Sequence, residues 1–252
     1  MARRFFVNDN EIKINGENIS VLGQEVHHIN VLRHKVGDTL VINKYIVLIE
    51  ELSQDKLLGK IVGKEEEQNT NNIQIKLYQA YLKSDKMEFV VQKAVELGAN
   101  NIVPFLSKNC VVKLDEKDKL KKVDRLNKIS LEASKQCGRS DIVSIDNVFN
   151  ISDSKFIEEL KSNTYNIFAY ESSTQSLKET LKNIQKQDKE NISVGIIIGP
   201  EGGFDKTDID ILNKLDNLYE VSLGKNILRA ETASINLLSI INYELNSWKA
   251  SE

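Results

Sequence analysis

Nine consecutive residues without an apolar side chain, Lys64-Glu-Glu-Glu-Gln-Asn-Thr-Asn-Asn72, divide this 252-residue chain into two stretches of different texture. A run with nothing to bury cannot be a core element, so it is read as a linker. Residues 1–68 hold short segments rich in Val, Ile and Phe: Phe5–Val7, Ile12–Ile14, Thr39–Ile42, Ile46–Ile49 and Lys60–Val62. Gly16, Gly23, Gly37, Gly59 and Gly63 punctuate them. Short strands with close turns predict a small β-barrel. Glu25–Arg33 interrupts them as a short helix, with Val26, Ile29 and Leu32 at helical spacing.

From residue 73 to 252 strands alternate with helices. The strands are Ile73–Leu82, Asn101–Leu106, Ile142–Ile145, Tyr165–Tyr170, Ser193–Ile198 and Tyr219–Leu223. The helices are Lys86–Leu97, Lys117–Gln136, Lys155–Leu160, Leu177–Ile184, Thr207–Leu215 and Thr232–Trp248. Gly98 is placed to stop the first, and Asp85 with Glu88 resembles a capping box at its start. Val123, Leu126, Ile129 and Ala133 form the inward face of the second. Such alternation predicts an α/β domain with a mostly parallel sheet covered by helices.

Composition narrows the function classes. No apolar run approaches the ~20 residues of a membrane span, and the start, Met-Ala-Arg-Arg-Phe-Phe-Val-Asn-Asp-Asn, lacks a signal-peptide core. Two cysteines, Cys110 and Cys137, make no disulfide scaffold and no metal spacing. The expectation is a reduced, cytoplasmic protein. The three histidines are His27, His28 and His34; beyond them a His-dependent nucleophilic or zinc site is excluded unless the N-terminal part reaches over. A net charge of −3 still permits a local basic footprint for nucleic acid.

In an open α/β sheet, ligands bind beyond the carboxyl ends of the strands. Two such ends stand out: Ile196-Ile-Ile-Gly-Pro-Glu-Gly-Gly-Phe204 and Val221-Ser-Leu-Gly-Lys-Asn-Ile-Leu-Arg-Ala-Glu-Thr-Ala233. Five of the 12 glycines fall between residues 195 and 224. Three isoleucines in a row suit a central buried strand. The following bend matches neither the phosphate loop nor the dinucleotide fingerprint. Apolar Leu223, Ile227 and Leu228 beside Gly224 can wall a flat ring, or simply pack beneath the loop. Arg229 precedes a helix, where the dipole disfavours a cation. An anionic partner, or a salt bridge to Glu231 or Glu201, accounts for that placement.

At these segments the chain resembles the bacterial small-subunit (16S) rRNA uridine-N3 methyltransferases of the SPOUT superfamily. Ile198-Gly-Pro-Glu-Gly-Gly203 and Leu223-Gly-Lys-Asn-Ile-Leu-Arg-Ala-Glu-Thr-Ala233 are similar to that family's paired signature. Val31-Leu-Arg33 with Gly37-Asp38, Lys86-Met-Glu-Phe89 with Gln92-Lys93 and Glu96-Leu-Gly98, and Gln136-Cys-Gly-Arg139 agree with further stretches, in order. Lys135, Asn226 and Asn109 depart from the pattern, as does the lack of an Asp-Gly turn around Asn43–Tyr45.

The resemblance implies a PUA-like or OB-like barrel over residues 1–68. It also implies a SPOUT-type domain over 73–252 that is tied in a trefoil knot, dimerises and binds S-adenosyl-L-methionine (SAM). The closing helix, with Ile235, Leu238, Ile241 and Leu245, is available for the dimer or for the chain's own core. The implied cofactor residues are Ile198, Gly199, Pro200, Glu201, Gly202, Gly203, Ser222, Leu223, Gly224, Ile227, Leu228 and Arg229. Arg229 is the catalytic candidate, with Glu201 and Glu231 as proton acceptors or orienting groups. Arg3, Arg4, His28, Arg33, Lys86 and Arg139 are candidate contacts to 16S rRNA, expected as substrate within an assembled small subunit. No metal is implied. The competing readings are ribose 2′-O-methylation, an RNA-binding protein without activity, and a small-molecule nucleotide-binding enzyme.

Overall fold

The computed structural model describes residues 3–65, 73–186 and 191–245. Most of the expected linker, residues 66–72, and the last turn expected of the closing helix lie outside them. By compactness the chain divides into one unit of residues 1–70 with 135–141 and a second of 71–134 with 142–252.

In the first unit the strands are β1 (Arg4–Phe5), β2 (Ile12–Asn15), β3 (Asn18–Leu22), β4 (Thr39–Ile42), β5 (Tyr45–Leu52) and β6 (Lys56–Lys64). The helix α1 (Gln24–Val31) lies between β3 and β4. They form one mixed sheet in the order β1-β4-β5-β6-β3-β2. Only β1 and β4 run parallel. The path is open: among the described residues no pairing joins β1 to β2. Alternation along β3 and β5 turns Ile19, Val21, Val47 and Ile49 inward, onto Val26 and Ile29 of α1 and onto Phe5. Arg4 fastens the edge strand, donating to the Asn43 carbonyl at 2.8 Å and pairing with Glu65.

The second unit contains β7 (Ile73–Ala80), α2 (Lys86–Glu96), β8 (Asn101–Leu106), α3 (Glu116–Cys137), β9 (Ser144–Ile145), β10 (Phe149–Asn150) and α4 (Ser154–Ser162). It continues with β11 (Tyr165–Ala169), α5 (Leu177–Gln185), β12 (Ile192–Ile198), α6 (Lys206–Leu212), β13 (Leu218–Val221) and α7 (Ala230–Leu245). Its sheet runs β10-β8-β7-β12-β11-β13, with β9 also on β8. Every pairing is parallel. The isoleucine strand β12 is central, between β7 and β11, and apolar on both faces as a doubly covered strand must be. Val194, Ile196 and Ile198 meet one core with residues of α2, α5 and α7, while Ile197 meets the other with Phe156 of α4 and Leu212 of α6. Leu238 and Ile241 of α7 are fully buried in the chain's own core. That removes them from any dimer face and leaves Ile235 and Leu245 half-buried.

The capping box expected at α2 does not form. Asp85 makes no side-chain capping hydrogen bond, and Glu88 turns to Arg125 of α3, with 2.6 Å between Oε1 and Nε. A reciprocal capping box does form at α6, between Asp205 and Asp208.

Candidate active site

The sheet order sets the site. Because β12 and β13 flank β11, the loops leaving their carboxyl ends meet over one end of the sheet. The bend after β12 (Gly199–Phe204) and the loop after β13 (Ser222–Arg229) form most of a cleft of about 360 Å³. That volume lies within the range of small-ligand sites. Ile198, Gly199, Pro200, Glu201, Gly203, Ser222, Leu223, Gly224, Ile227, Leu228 and Arg229 all line it. Gly202 turns aside towards Asn109, whose backbone oxygen stands 3.1 Å from where a Cβ on Gly202 would be.

Geometry calls for glycine at Gly199 and Gly224, as the φ of +69° does at Gly203. Gly199 lies so close to the Phe204 ring that a Cβ would come within 2.7 Å of it. Gly224 has φ +119°, a conformation that other residues reach only with strain, and nothing lies within 4 Å of its missing Cβ. Ser222 shapes this loop at its start: its backbone N–H donates to the Gln175 carbonyl at 3.0 Å, and its hydroxyl accepts from Gly224 N–H at 3.3 Å. Leu223 and Leu228 pack partly on the core below, whereas Ile227 is 84% exposed. Of the two placements weighed from the sequence, packing under the loop thus holds in part for Leu223 and Leu228, while Ile227 projects outward.

The polar groups of the cleft form one constellation. Lys86, at the start of α2, places Nζ 3.2 Å from Glu231 Oε1 and 3.9 Å from Glu201 Oε1. Lys83 backbone N–H also donates to Glu201 Oε1, at 3.2 Å. Among the described residues, Glu201 Oε2 is buried with no hydrogen-bond partner. A buried acceptor left this way costs about 1–3 kcal/mol, which a donor group on a bound molecule relieves. Burial alone would raise the Glu231 carboxyl. It is nevertheless held below the ordinary carboxylate range by its own backbone N–H, by Lys86 and by Arg229. Arg229 itself is exposed and, among the described residues, has no ion-pair partner. The salt bridge weighed for it from the sequence is made by Lys86 instead.

The sequence reading missed Ala169, Tyr170 and Glu171, which bring the end of β11 into the cleft, and Lys83; within the two segments it singled out, it left Phe204, Lys225, Asn226, Ala230 and Ala233 unassigned. The rule that ligands gather at strand ends applied equally to Tyr165–Tyr170, but no glycine drew attention there.

The candidate RNA contacts divide. Arg3 and Arg33 are exposed. Arg4, with only 8% of its side chain exposed, is a strut of its sheet. His28 lies edge-on to Phe5 and 3.6 Å from Glu25. Arg139 is half-buried and forks onto Asp141, at 3.1 and 2.9 Å. Lys86 faces the cleft carboxylates.

Residues 69–242 match the sequence profile of the RNA methyltransferase domain. The ribosomal RNA small subunit methyltransferase E of Bacillus subtilis is 32% identical over 89% of this chain and 90% of its own length. That of Mesomycoplasma hyopneumoniae is 35% identical, over 94% and 97%. A Legionella pneumophila protein solved in complex with the cofactor SAM superposes with a TM-score of 0.79, at 26% identity, over 96% of this chain and 98% of that one. With more than two thirds of its length matched by that profile and relatives above 30% identity over most of it, this chain belongs to the RNA methyltransferase family, in the group of the small-subunit enzymes E.

Proposed function

We propose that this protein transfers the methyl group of SAM to N3 of a uridine in 16S rRNA. The observation that carries the reading is the meeting of Gly199–Gly203 and Ser222–Leu228 in one cleft, with Arg229 at its edge and, among the described residues, without an ion-pair partner. The residues fit the cofactor: apolar Leu223, Ile227 and Leu228 suit the adenine, and Gly199–Gly203 offers backbone groups to the ribose and methionine part. The unpartnered Glu201 oxygen can accept from a ligand hydroxyl or ammonium. When bound, SAM supplies a methyl group activated by its sulfonium.

Uracil N3 carries a proton and is a poor nucleophile until that proton leaves, spreading charge over two carbonyl oxygens. The Arg229 guanidinium, held beside those oxygens, favours the anion and the transition state that follows. N3 then bonds the methyl carbon as the carbon–sulfur bond breaks, giving N3-methyluridine, S-adenosylhomocysteine and a proton. Glu231, held ionised, is a weak proton acceptor and is better suited to shaping the field around Arg229. Glu201 is the alternative acceptor.

The base must be unpaired or flipped out to reach the cleft. Exposed Arg3 and Arg33 of the N-terminal unit, whose sheet is read as a partly open barrel of the PUA or OB kind, suit phosphate contacts. A SPOUT-type knot in the second unit, a homodimer and an assembled small subunit as substrate complete the reading.

The test is mass spectrometry of nucleosides from 16S rRNA of cells with and without this protein. Loss of N3-methyluridine is the expected result; loss of a 2′-O-methyl nucleoside would move the reaction to the ribose.

A further inference from the structure

Among the charged groups at the cleft, Lys86, Arg229, Glu201 and Glu231 are not paired as sequence order suggests. Arg229 lies two residues from Glu231, across the first turn of α7, yet Glu231 is taken by Lys86 from α2, 145 residues distant in sequence. The same ammonium lies 3.9 Å from Glu201. Lys86, with 26% of its side chain exposed, thus stands against Glu231, the carboxylate on which Arg229 acts, and at longer range against Glu201.

We propose that Lys86 is a positioning residue for Arg229: by occupying Glu231, with Glu201 at longer range, it leaves the guanidinium free for the substrate base. The inference rests on the reading of Arg229 as the group that stabilises the uracil anion. Deleting the ammonium leaves two partly buried carboxylates, 17% and 15% exposed, beside one remaining arginine. Carboxylates stripped of their partner in a partly desolvated site draw in the nearest cation, since an unpaired buried charge is costly. Arg229 already contributes to holding Glu231 ionised, so the alternative pairing is close at hand. An Arg–carboxylate fork, once formed, removes the planar donors that a uracil needs.

The experiment is a double-mutant cycle read as methyl transfer to small ribosomal subunits purified from cells lacking the protein. Lys86→Met is expected to lower kcat about tenfold or more with little change in SAM affinity, in keeping with coupling between residues in contact. In a Glu231→Gln background the same substitution should cost less than about twofold, because the nearer competing anion is gone and only Glu201, at longer range, is left. Lys86→Arg should retain most of the rate. Should Lys86→Met fail to fold, as judged by its thermal midpoint, Lys86→Gln takes its place in the cycle.

An equal loss in both backgrounds, carried by a higher KM for the RNA, would make Lys86 a direct RNA contact and overturn the inference. Full activity of Lys86→Met would do the same. If Arg229→Ala retains turnover, the reading of the site itself falls; if Arg229→Ala is dead and the cycle shows no coupling, only the role of Lys86 falls.

Discussion

Ser222 pairs with Ser176 as an isolated parallel bridge, one step beyond the last residue of β13. That bridge fixes where the sheet ends and the loop begins, and two residues later the backbone enters the positive-φ conformation of Gly224, strained for any other residue. Gly224→Ala should therefore weaken SAM binding without unfolding the protein. A residue forced into such a region costs on the order of 1–3 kcal/mol. The exposed loop escapes the cost when empty and incurs it when a ligand demands the native bend. Calorimetry should show affinity reduced about tenfold, given ~1.4 kcal/mol per decade, with an unchanged thermal midpoint.

Arg229→Ala should abolish methyl transfer while SAM still binds. The side chain is exposed, so its loss leaves no cavity. Removing one preorganised donor to a developing anion costs about 10²–10³ in rate. Single-turnover assays alongside calorimetry separate the two effects. Loss of SAM binding with residual turnover would refute the assignment.

Gly195→Ala should destabilise the second unit without touching the cleft. An added Cβ would stand 2.2 Å from Asn166 Oδ1 and 2.7 Å from Asn163 Nδ2, both buried. These amides are tied to Tyr78 and to each other, Asn163 donating to the Tyr78 hydroxyl at 2.8 Å and to Asn166 at 2.9 Å. Nothing there is free to give way. Overpacking of this kind costs roughly 1–3 kcal/mol, seen as a lower denaturation midpoint at constant slope.

Asp205 supplies an acid-sensitive contribution to stability. The hydroxyl and backbone N–H of Thr207, then Lys108, push its carboxyl down to about 2. A depressed folded value stabilises above the unfolded value of about 3.9. The contribution is fully present above that pH and is lost as pH falls through about 2. An NMR titration should find the Asp205 carboxyl ionised at pH 3, and Asp205→Asn should flatten the pH dependence of stability in that window.

Where apolar periodicity was strong, the sequence alone located the elements closely. Asn101–Leu106 and Thr39–Ile42 agree residue for residue, and most helices agree to within one or two. The second unit's parallel sheet followed from that alternation. Two strands escaped notice. β3 is short and alternates polar with apolar residues between Gly16 and Gly23, and β10 has two residues, below any period. The mixed pairing of the first sheet is a tertiary choice that no local pattern encodes. In the cleft, glycines and misplaced apolar residues marked two of the contributing loops. The contribution of β11 depends on strand order, and the partner of Glu231 on where α2 begins in space. Both are long-range facts with no signature in neighbouring residues.

The central position of β7 has a consequence for biosynthesis. It pairs with β8 soon after in the chain, but its other neighbour, β12, begins at Ile192, opposite Ile73. While the ribosome makes the intervening chain, one edge of an apolar strand has no mate, and such edges invite association with other chains. Sheets closed by distant segments also form slowly. That edge stays open until Ile192 and the residues after it emerge, so chaperone demand should fall chiefly on this interval.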